Sequence, residues 1–217
     1  MFINIHTHQQ NIHNQQECWN LINVDKKFNE SNPVFNYSLG IHPWHIDIQK
    51  IQDDLSRLKM ASHKSNVLAI GECGLDKICE VSYKLQQEVF KEQIIWANDI
   101  AKPLIIHCVR AYEDVLQMLK DNRNIMPVIF HGFNKNEMIA QKIIQSGYYI
   151  SFGKDITKIE LEKTIVAIPL DKIFLETDDS NIPIENIYKE LSRIRNIPQR
   201  QLILQIQKNL KTVFNIS

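Results

Sequence analysis

Five short apolar runs along this chain each lead into a residue able to bind a metal ion or move a proton. FINIHTH carries His6 and His8, VLAIGECGLD carries Glu72, PLIIHC carries His107, VIFHGF carries His131 and KIFLETDD carries Asp178. Runs of β-branched and large apolar residues suit strands buried on both faces, as in a parallel sheet. The polar residue always stands toward the C-terminal end of its run, so the strands share one direction and their reactive groups share one rim. That polarity is the arrangement of a parallel α/β barrel, whose chemistry sits at the C-terminal strand ends.

The rest of the pattern supplies the units such a sheet needs. Strand-like runs cover MFINI at the start and then 19–24, 34–41, 66–71, 103–107, 127–131, 147–152 and 171–177. Helical spacing of apolar residues lies between most of them. It is carried by Ile48, Ile51, Leu55, Leu58 and Met60 in 47–64, and by Tyr83, Leu85, Val89, Phe90, Ile94 and Ala97 in 80–100. Similar patterns cover 111–121, 136–146 and 184–195, and Pro198 suits the first turn of a last helix ending near Phe214. Strands alternating with helices predict βαβ units. Eight strand candidates predict a closed (β/α)8 barrel rather than an open sheet.

At 217 residues the chain is short for that fold, which typically takes about 250. The shortfall falls in residues 9–33, rich in Asn and Gln and poor in amphipathic pattern, so a compact barrel with shortened early helices is expected. No repeat, linker or low-complexity tract divides the sequence, and residues 1–217 are expected to form one domain.

A formal net charge of zero removes the basic excess on which duplex-coating proteins depend. It does not exclude a nucleic-acid substrate, because metal ions can hold a phosphate without a basic surface. Cys18, Cys73, Cys79 and Cys108 form no C-x-x-C pair and read as reduced thiols, chiefly packing residues, of a cytosolic protein. The sequence opens directly on MFINIHTH, with no basic or apolar leader pattern, and no apolar run nears the ~20 residues of a membrane span. A cytoplasmic location is expected.

The candidate donors each have a plain structural reading when taken singly: a surface H-x-H, a capping or salt-bridged Glu72, partly buried His107 and His131, and an Asp178 that competes with Ser180 to cap a turn. Their chemistry as a set is different. On a strand, residues two apart point the same way, so His6 and His8 can chelate one ion. Glu72 lies among Gly71 and Gly74, which permit close backbone approach, and its two oxygens can bridge two cations. Neutral imidazole suits zinc or a similar divalent ion. Four imidazoles and two carboxylates match a two-metal site with one shared carboxylate, in which ions about 3.5–4 Å apart activate a water. Asp178 then binds one metal and accepts the proton of the attacking water.

These residues resemble those of the TatD family of metal-dependent deoxyribonucleases, within the wider amidohydrolase-type barrels. The matching blocks are INIHTH, GIHPWH, AIGECGLD, LQQEVFKEQIIWANDIAKPLIIHC, FHGF, YYISFG, FLETDDS and NLKTVF, in the family's order and over nearly the whole chain. The resemblance implies two divalent ions (zinc, magnesium or manganese) at a barrel mouth and hydrolysis of DNA phosphodiesters, often exonucleolytic. It implies His6, His8, Glu72, His107, His131 and Asp178 as ligands and His42 as a contact to the substrate phosphate. The implied partner is DNA, single-stranded or at strand ends, with no obligate protein partner.

Three departures stand out. Asn4 replaces the family's aspartate before H-x-H; Arg110 follows His107 by three positions where the family has an arginine at two; and Asp179-Ser180 replace a small residue and proline after ETD. Arg110 remains the candidate phosphate clamp. Trp44 has two open readings, a stacking contact to a base or a packed loop anchor. Asp76 reads as a loop-fixing carboxylate, and Phe133 and Phe152 as packing residues.

Two rival functions remain at this point. A small-molecule hydrolase of the same barrel type would act on amides, lactones or phosphoesters with the same activated water. GECGLD and ETD favour the nuclease family, and no lysine ends a strand where a carbamylated bridging ligand would stand. A catalytically silent binding protein would be expected to lose ligands, and none is missing.

Overall fold

The structure, a computed structural model, describes residues 1–9, 18–25 and 34–216. Its first elements are the strands β1 (Phe2–Thr7), β2 (Cys18–Asp25) and β3 (Asn36–Gly40), then helix α1 (Ile51–Ala61). Strand and helix alternate through β4 (Val67–Asp76), α2 (Tyr83–Asp99), β5 (Leu104–Val109), α3 (Tyr112–Asp121), β6 (Val128–Phe130), α4 (Glu137–Gln145) and β7 (Tyr149–Phe152). The chain closes with α5 (Ile159–Ala167), β8 (Ile173–Leu175), α6 (Ile184–Arg195) and α7 (Gln199–Phe214). Short 3-10 turns occupy Pro43–His45, Lys154–Thr157 and Leu170–Lys172. The early helices expected to be shortened fall in residues 10–17 and 26–33, outside the described residues.

Sheet order follows chain order, β1 through β8. A parallel bridge between Thr7 and Asp178 ties the exit of the last strand to the first. This is the topology of a (β/α)8 barrel. By compactness the chain divides into two units, Met1–Ile22 with Ile129–Ser217, and Asn23–Val128.

In the first unit, β1 pairs in parallel with the start of β2, and β7 pairs in parallel with β6 and β8. Ile3, Ile5, Ile129, Ile150, Phe152, Phe174 and Leu175 are fully buried, as a two-sided sheet requires. Helix α6 turns Ile187, Tyr188 and Leu191 inward, and the Tyr188 hydroxyl both accepts from Ile3 N and donates to Ile3 O, each at 3.0 Å. A left-handed Asn196 ends α6, and Pro198 stands one residue ahead of α7. Helix α5 had no counterpart among the sequence-predicted helices.

In the second unit, β4 pairs in parallel with β3 and β5. Strand β4 runs five residues beyond its expected end at residue 71, through GECGLD. Glycine makes that possible. A Cβ on Gly74 would lie 2.0 Å from His107 O, and Gly74 holds φ at +142°, a conformation that L side chains rarely adopt. The β4–β5 register sets Gly74 against His107 and Asp76 against Val109. Helix α2 buries Val89, Phe90, Ile94 and Ala97 together with two polar residues, Gln86 and Gln93. No helix among the described residues is long and apolar enough to cross a membrane.

Candidate metal centre

The first unit brings together His6, His8, His131, Glu176 and Asp178. His6 lies in β1, His8 just past it, His131 just past β6, and Asp178 three residues beyond β8. Backbone hydrogen bonds continue the β1 ladder onto the last of these: Asp178 N donates to His6 O at 3.0 Å, and His8 N donates to Asp178 O at 3.1 Å. Asp178 adopts a left-handed φ of 52°, uncommon for a residue with a side chain. Its position is therefore set by main chain on both sides.

The side chains then converge. His6 Nε2 and His8 Nε2 stand 3.6 and 3.5 Å from the same oxygen, Asp178 Oδ1. Those separations are long for hydrogen bonds. They match the donor–donor edge of a tetrahedral site with metal–ligand bonds of about 2.0–2.1 Å, which is roughly 3.3–3.4 Å. A second group in this unit, His131, Glu176 and Asp178, also offers donor atoms within 4.8 Å of one another. Glu176 is fully buried; its Oε1 accepts from Gly132 N at 2.7 Å and lies 3.4 Å from His131 Nδ1. With Nδ1–H directed at this carboxylate, His131 keeps Nε2 as its donor atom. Glu176 Oε2 is buried without a hydrogen-bond partner among the described residues, as befits an atom placed for a cation.

Asn4 secures the turn from beneath. Its Nδ2 donates to Asn20 Oδ1 at 3.1 Å and to Thr177 Oγ1 at 2.9 Å, while its Oδ1 accepts from Thr177 N at 2.9 Å. Asp179, the added carboxylate, is exposed and paired with Lys154 at 2.7 Å.

The second unit gathers His42, Glu72, Asp76, His107 and Trp44. His107 lies between two carboxylates, with Nδ1 2.8 Å from Glu72 Oε1 and Nε2 3.2 Å from Asp76 Oδ2. Burial pushes the Asp76 carboxyl up, but hydrogen bonds from Trp44, Ile78 and His107 outweigh it and hold the group below its ordinary range. Asp76 is thus an ionised acceptor on the Nε2 side of the ring, as Glu72 is an acceptor on the Nδ1 side. His42, Glu72 and His107 offer ligand-type atoms within 4.8 Å of one another, a grouping that could hold a divalent cation.

His42 differs. Its Nδ1 accepts from Trp44 N at 3.1 Å, which puts the proton of the neutral ring on Nε2, 3.1 Å from Glu72 Oε1. His42 is a donor to Glu72 there. Arg110 stands just past β5, exposed, with a left-handed φ of 54°, and makes no hydrogen bond or ion pair with these groups. Trp44 is more than half exposed.

Buried amides hold this set in place. Asn23 Oδ1 accepts from Glu72 N at 2.9 Å and from Ser38 Oγ at 3.2 Å, and Asn23 Nδ2 lies 3.4 Å from Glu72 Oε2. Gln93 grips Ile41, the residue before His42, through both its N and its O at 2.7 and 3.1 Å. Gln86 grips the N and O of Asp76 at 2.8 and 3.0 Å. The two glutamines are seven residues apart, two turns of α2 on one face. Sequence reasoning passed over Asn23, Gln86, Gln93 and Glu176. The available signal was a polar residue recurring on the apolar face of α2.

Cys73 and Cys108 directly follow Glu72 and His107 in the chain, and Cys79 Sγ donates to Asp76 O at 3.5 Å. Cys18 and Cys73 are buried, and burial pushes the Cys18 thiol up to about 12 and raises that of Cys73 as well, so both stay protonated packing residues.

Parallel barrel topology with nitrogen and oxygen donors in or just past its strands is an arrangement suited to a metal-dependent hydrolase. The chain belongs to the TatD related DNase family, whose model matches residues 6–215. It is 32% identical to an uncharacterized metal-dependent hydrolase of Buchnera aphidicola subsp. Acyrthosiphon pisum, over 91% of this chain and 83% of that one. It is 27% identical to the uncharacterized metal-dependent hydrolase YjjV of Escherichia coli K12, over 82% of this chain and 76% of that one. The crystal structure of YjjV, a TatD homologue, superposes with a TM-score of 0.85, 23% identity and coverage of 100% of this chain and 98% of that chain. The fold is therefore that of the TatD barrels.

Proposed function

We propose that this protein hydrolyses phosphodiester bonds in DNA, from single-stranded ends, with two divalent ions held by His6, His8, Glu72, His107, His131 and Asp178. The observation that carries the reading is the convergence of His6 Nε2 and His8 Nε2 on one oxygen of Asp178 at 3.6 and 3.5 Å. The Glu72–His107 pair of the second unit supports a second ion. Zinc, manganese and magnesium all suit such a donor set. Bound ions of this kind lower the pKa of water and neutralise charge on the phosphate.

The chain's own groups do the rest. Asp178 takes the proton of the attacking water. His42, its Nε2–H fixed by the Trp44 amide, donates to a phosphate oxygen. Arg110 is exposed where a more distant phosphate of the strand can reach it.

The test is hydrolysis of end-labelled single-stranded DNA by metal-stripped protein, with magnesium, manganese or zinc restored. Laddering from one end that requires metal is expected, with a loss of about 10²–10⁴-fold in Asp178→Asn at unchanged circular dichroism. Full activity in that variant removes Asp178 from its role. Silence on DNA, with bound metal confirmed by elemental analysis, moves the assignment to a small-molecule hydrolase.

A further inference from the structure

Trp44 is 57% exposed, yet its polar edge is engaged by the protein. Its Nε1–H donates to Asp76 Oδ2 at 2.6 Å, and its backbone N donates to His42 Nδ1. Asp76 is itself immobilised, with Oδ1 accepting from Ile78 N at 2.9 Å and its main chain gripped by Gln86. His42 and His107 meet the indole nearly at right angles, 82° and 77°, with ring centroids 4.9 and 5.7 Å away. A flat ring pinned along its N–H edge and still more than half open presents a face to solvent. The same Asp76 oxygen receives His107 Nε2, so one carboxylate fixes both the indole and a proposed metal-binding histidine.

We propose that the open face of Trp44 is a stacking subsite for an unpaired nucleobase, beside the phosphate that His42 receives. This rests on the phosphodiesterase reading and adds to it the residue that recognises the unpaired base. A base inside a duplex has both faces covered by its neighbours, whereas a base at a single-stranded end has a face to offer. Every base has such a face, so the subsite selects strand state and tolerates sequence.

The experiment compares single-stranded oligonucleotides that carry either normal or abasic terminal nucleotides, as substrates of the native protein, Trp44→Ala and Trp44→Phe. The ratio of KM for abasic to normal substrate is expected to be on the order of tenfold or more in the native protein. It should fall toward one in Trp44→Ala and be largely kept in Trp44→Phe, which retains a ring face. In parallel, terminal 2-aminopurine fluorescence should be quenched by zinc-loaded native protein and not by Trp44→Ala. Equal KM ratios in native and Trp44→Ala, with DNA still cleaved, overturn the subsite. Absence of cleavage by the native protein with every metal instead overturns the phosphodiesterase reading, and the quenching then decides the subsite alone: no quenching by native protein overturns it.

Discussion

In the unit that carries His6, His8 and Asp178, the main chain does most of the positioning; in the unit that carries Glu72 and His107, buried side chains do. Asp178 is held by backbone hydrogen bonds to His6 and His8 on either side of the Thr7 bridge, and the Asn4 amide only reinforces that turn. Glu72, Asp76 and the segment before His42 depend instead on Asn23, Gln86 and Gln93, each reaching across from another element. Backbone positioning tolerates changes of side chain, because the ladder survives them. Side-chain positioning fails with a single residue, since a lost partner leaves buried N–H and C=O groups unsatisfied. The second unit should therefore be the more fragile, and substitutions can test that contrast.

The largest effect is expected at Gly74. Gly74→Ala sets a methyl 2.0 Å from His107 O on a backbone at φ +142°. Neither strand can give way without moving His107 or Glu72. A loss of about 4 kcal/mol or more in urea denaturation is expected; a loss under ~1 kcal/mol would mean that β4 and β5 need not approach so closely. Next comes Gln93→Leu, which fills the same space but strands Ile41 N and O in the core. About 2–3 kcal/mol of stability should go, with a fall in kcat/KM through the displaced His42. Unchanged kcat/KM at reduced stability would separate the Gln93 grip from the site.

Much of this was readable in advance, for a physical reason. Most strands announce themselves by apolar runs, and the places of His6, His8, His107, His131 and Asp178 near or just past strand ends were readable from local pattern, whereas Glu72 lies inside the longer β4. Helices α1, α2, α3, α4 and α6 followed from their periodicity to within a few residues. Helix α5 was missed because Ile159 and Leu161 alternate with Glu160 and Glu162 as in a strand, which masks its helical spacing. What pattern could not supply was pairing at long range. Gln93 meets Ile41 across 52 positions and Asn23 meets Glu72 across 49. The tautomer of His42, which makes it a donor toward Glu72, likewise depends on a neighbour that only the fold supplies.

The smallest expected effect is the sharpest test of the contrast. Asn4→Asp restores the carboxylate that the TatD resemblance leads one to expect and removes two donated hydrogen bonds, to Asn20 Oδ1 and Thr177 Oγ1. The bond from Thr177 N survives, since the new side chain still accepts. The neighbours can adjust. Thr177 can turn its hydroxyl toward the introduced carboxylate in place of Thr7, and Asn20 can flip its amide in place of its bond to Cys18 O. The net cost should then be about 1 kcal/mol, with Asp178 still held by its backbone ladder and kcat little changed. The sign of the pH dependence follows from burial. A carboxyl at a position only 4% exposed is raised above its unfolded value of about 4. The deficit is therefore greatest well above that value and shrinks as pH falls toward it. Urea midpoints from pH 4 to 8 for both proteins measure this directly. A deficit as large as that of Gln93→Leu, or a collapse of kcat, would show that the first unit relies on its buried amide as heavily as the second relies on its own.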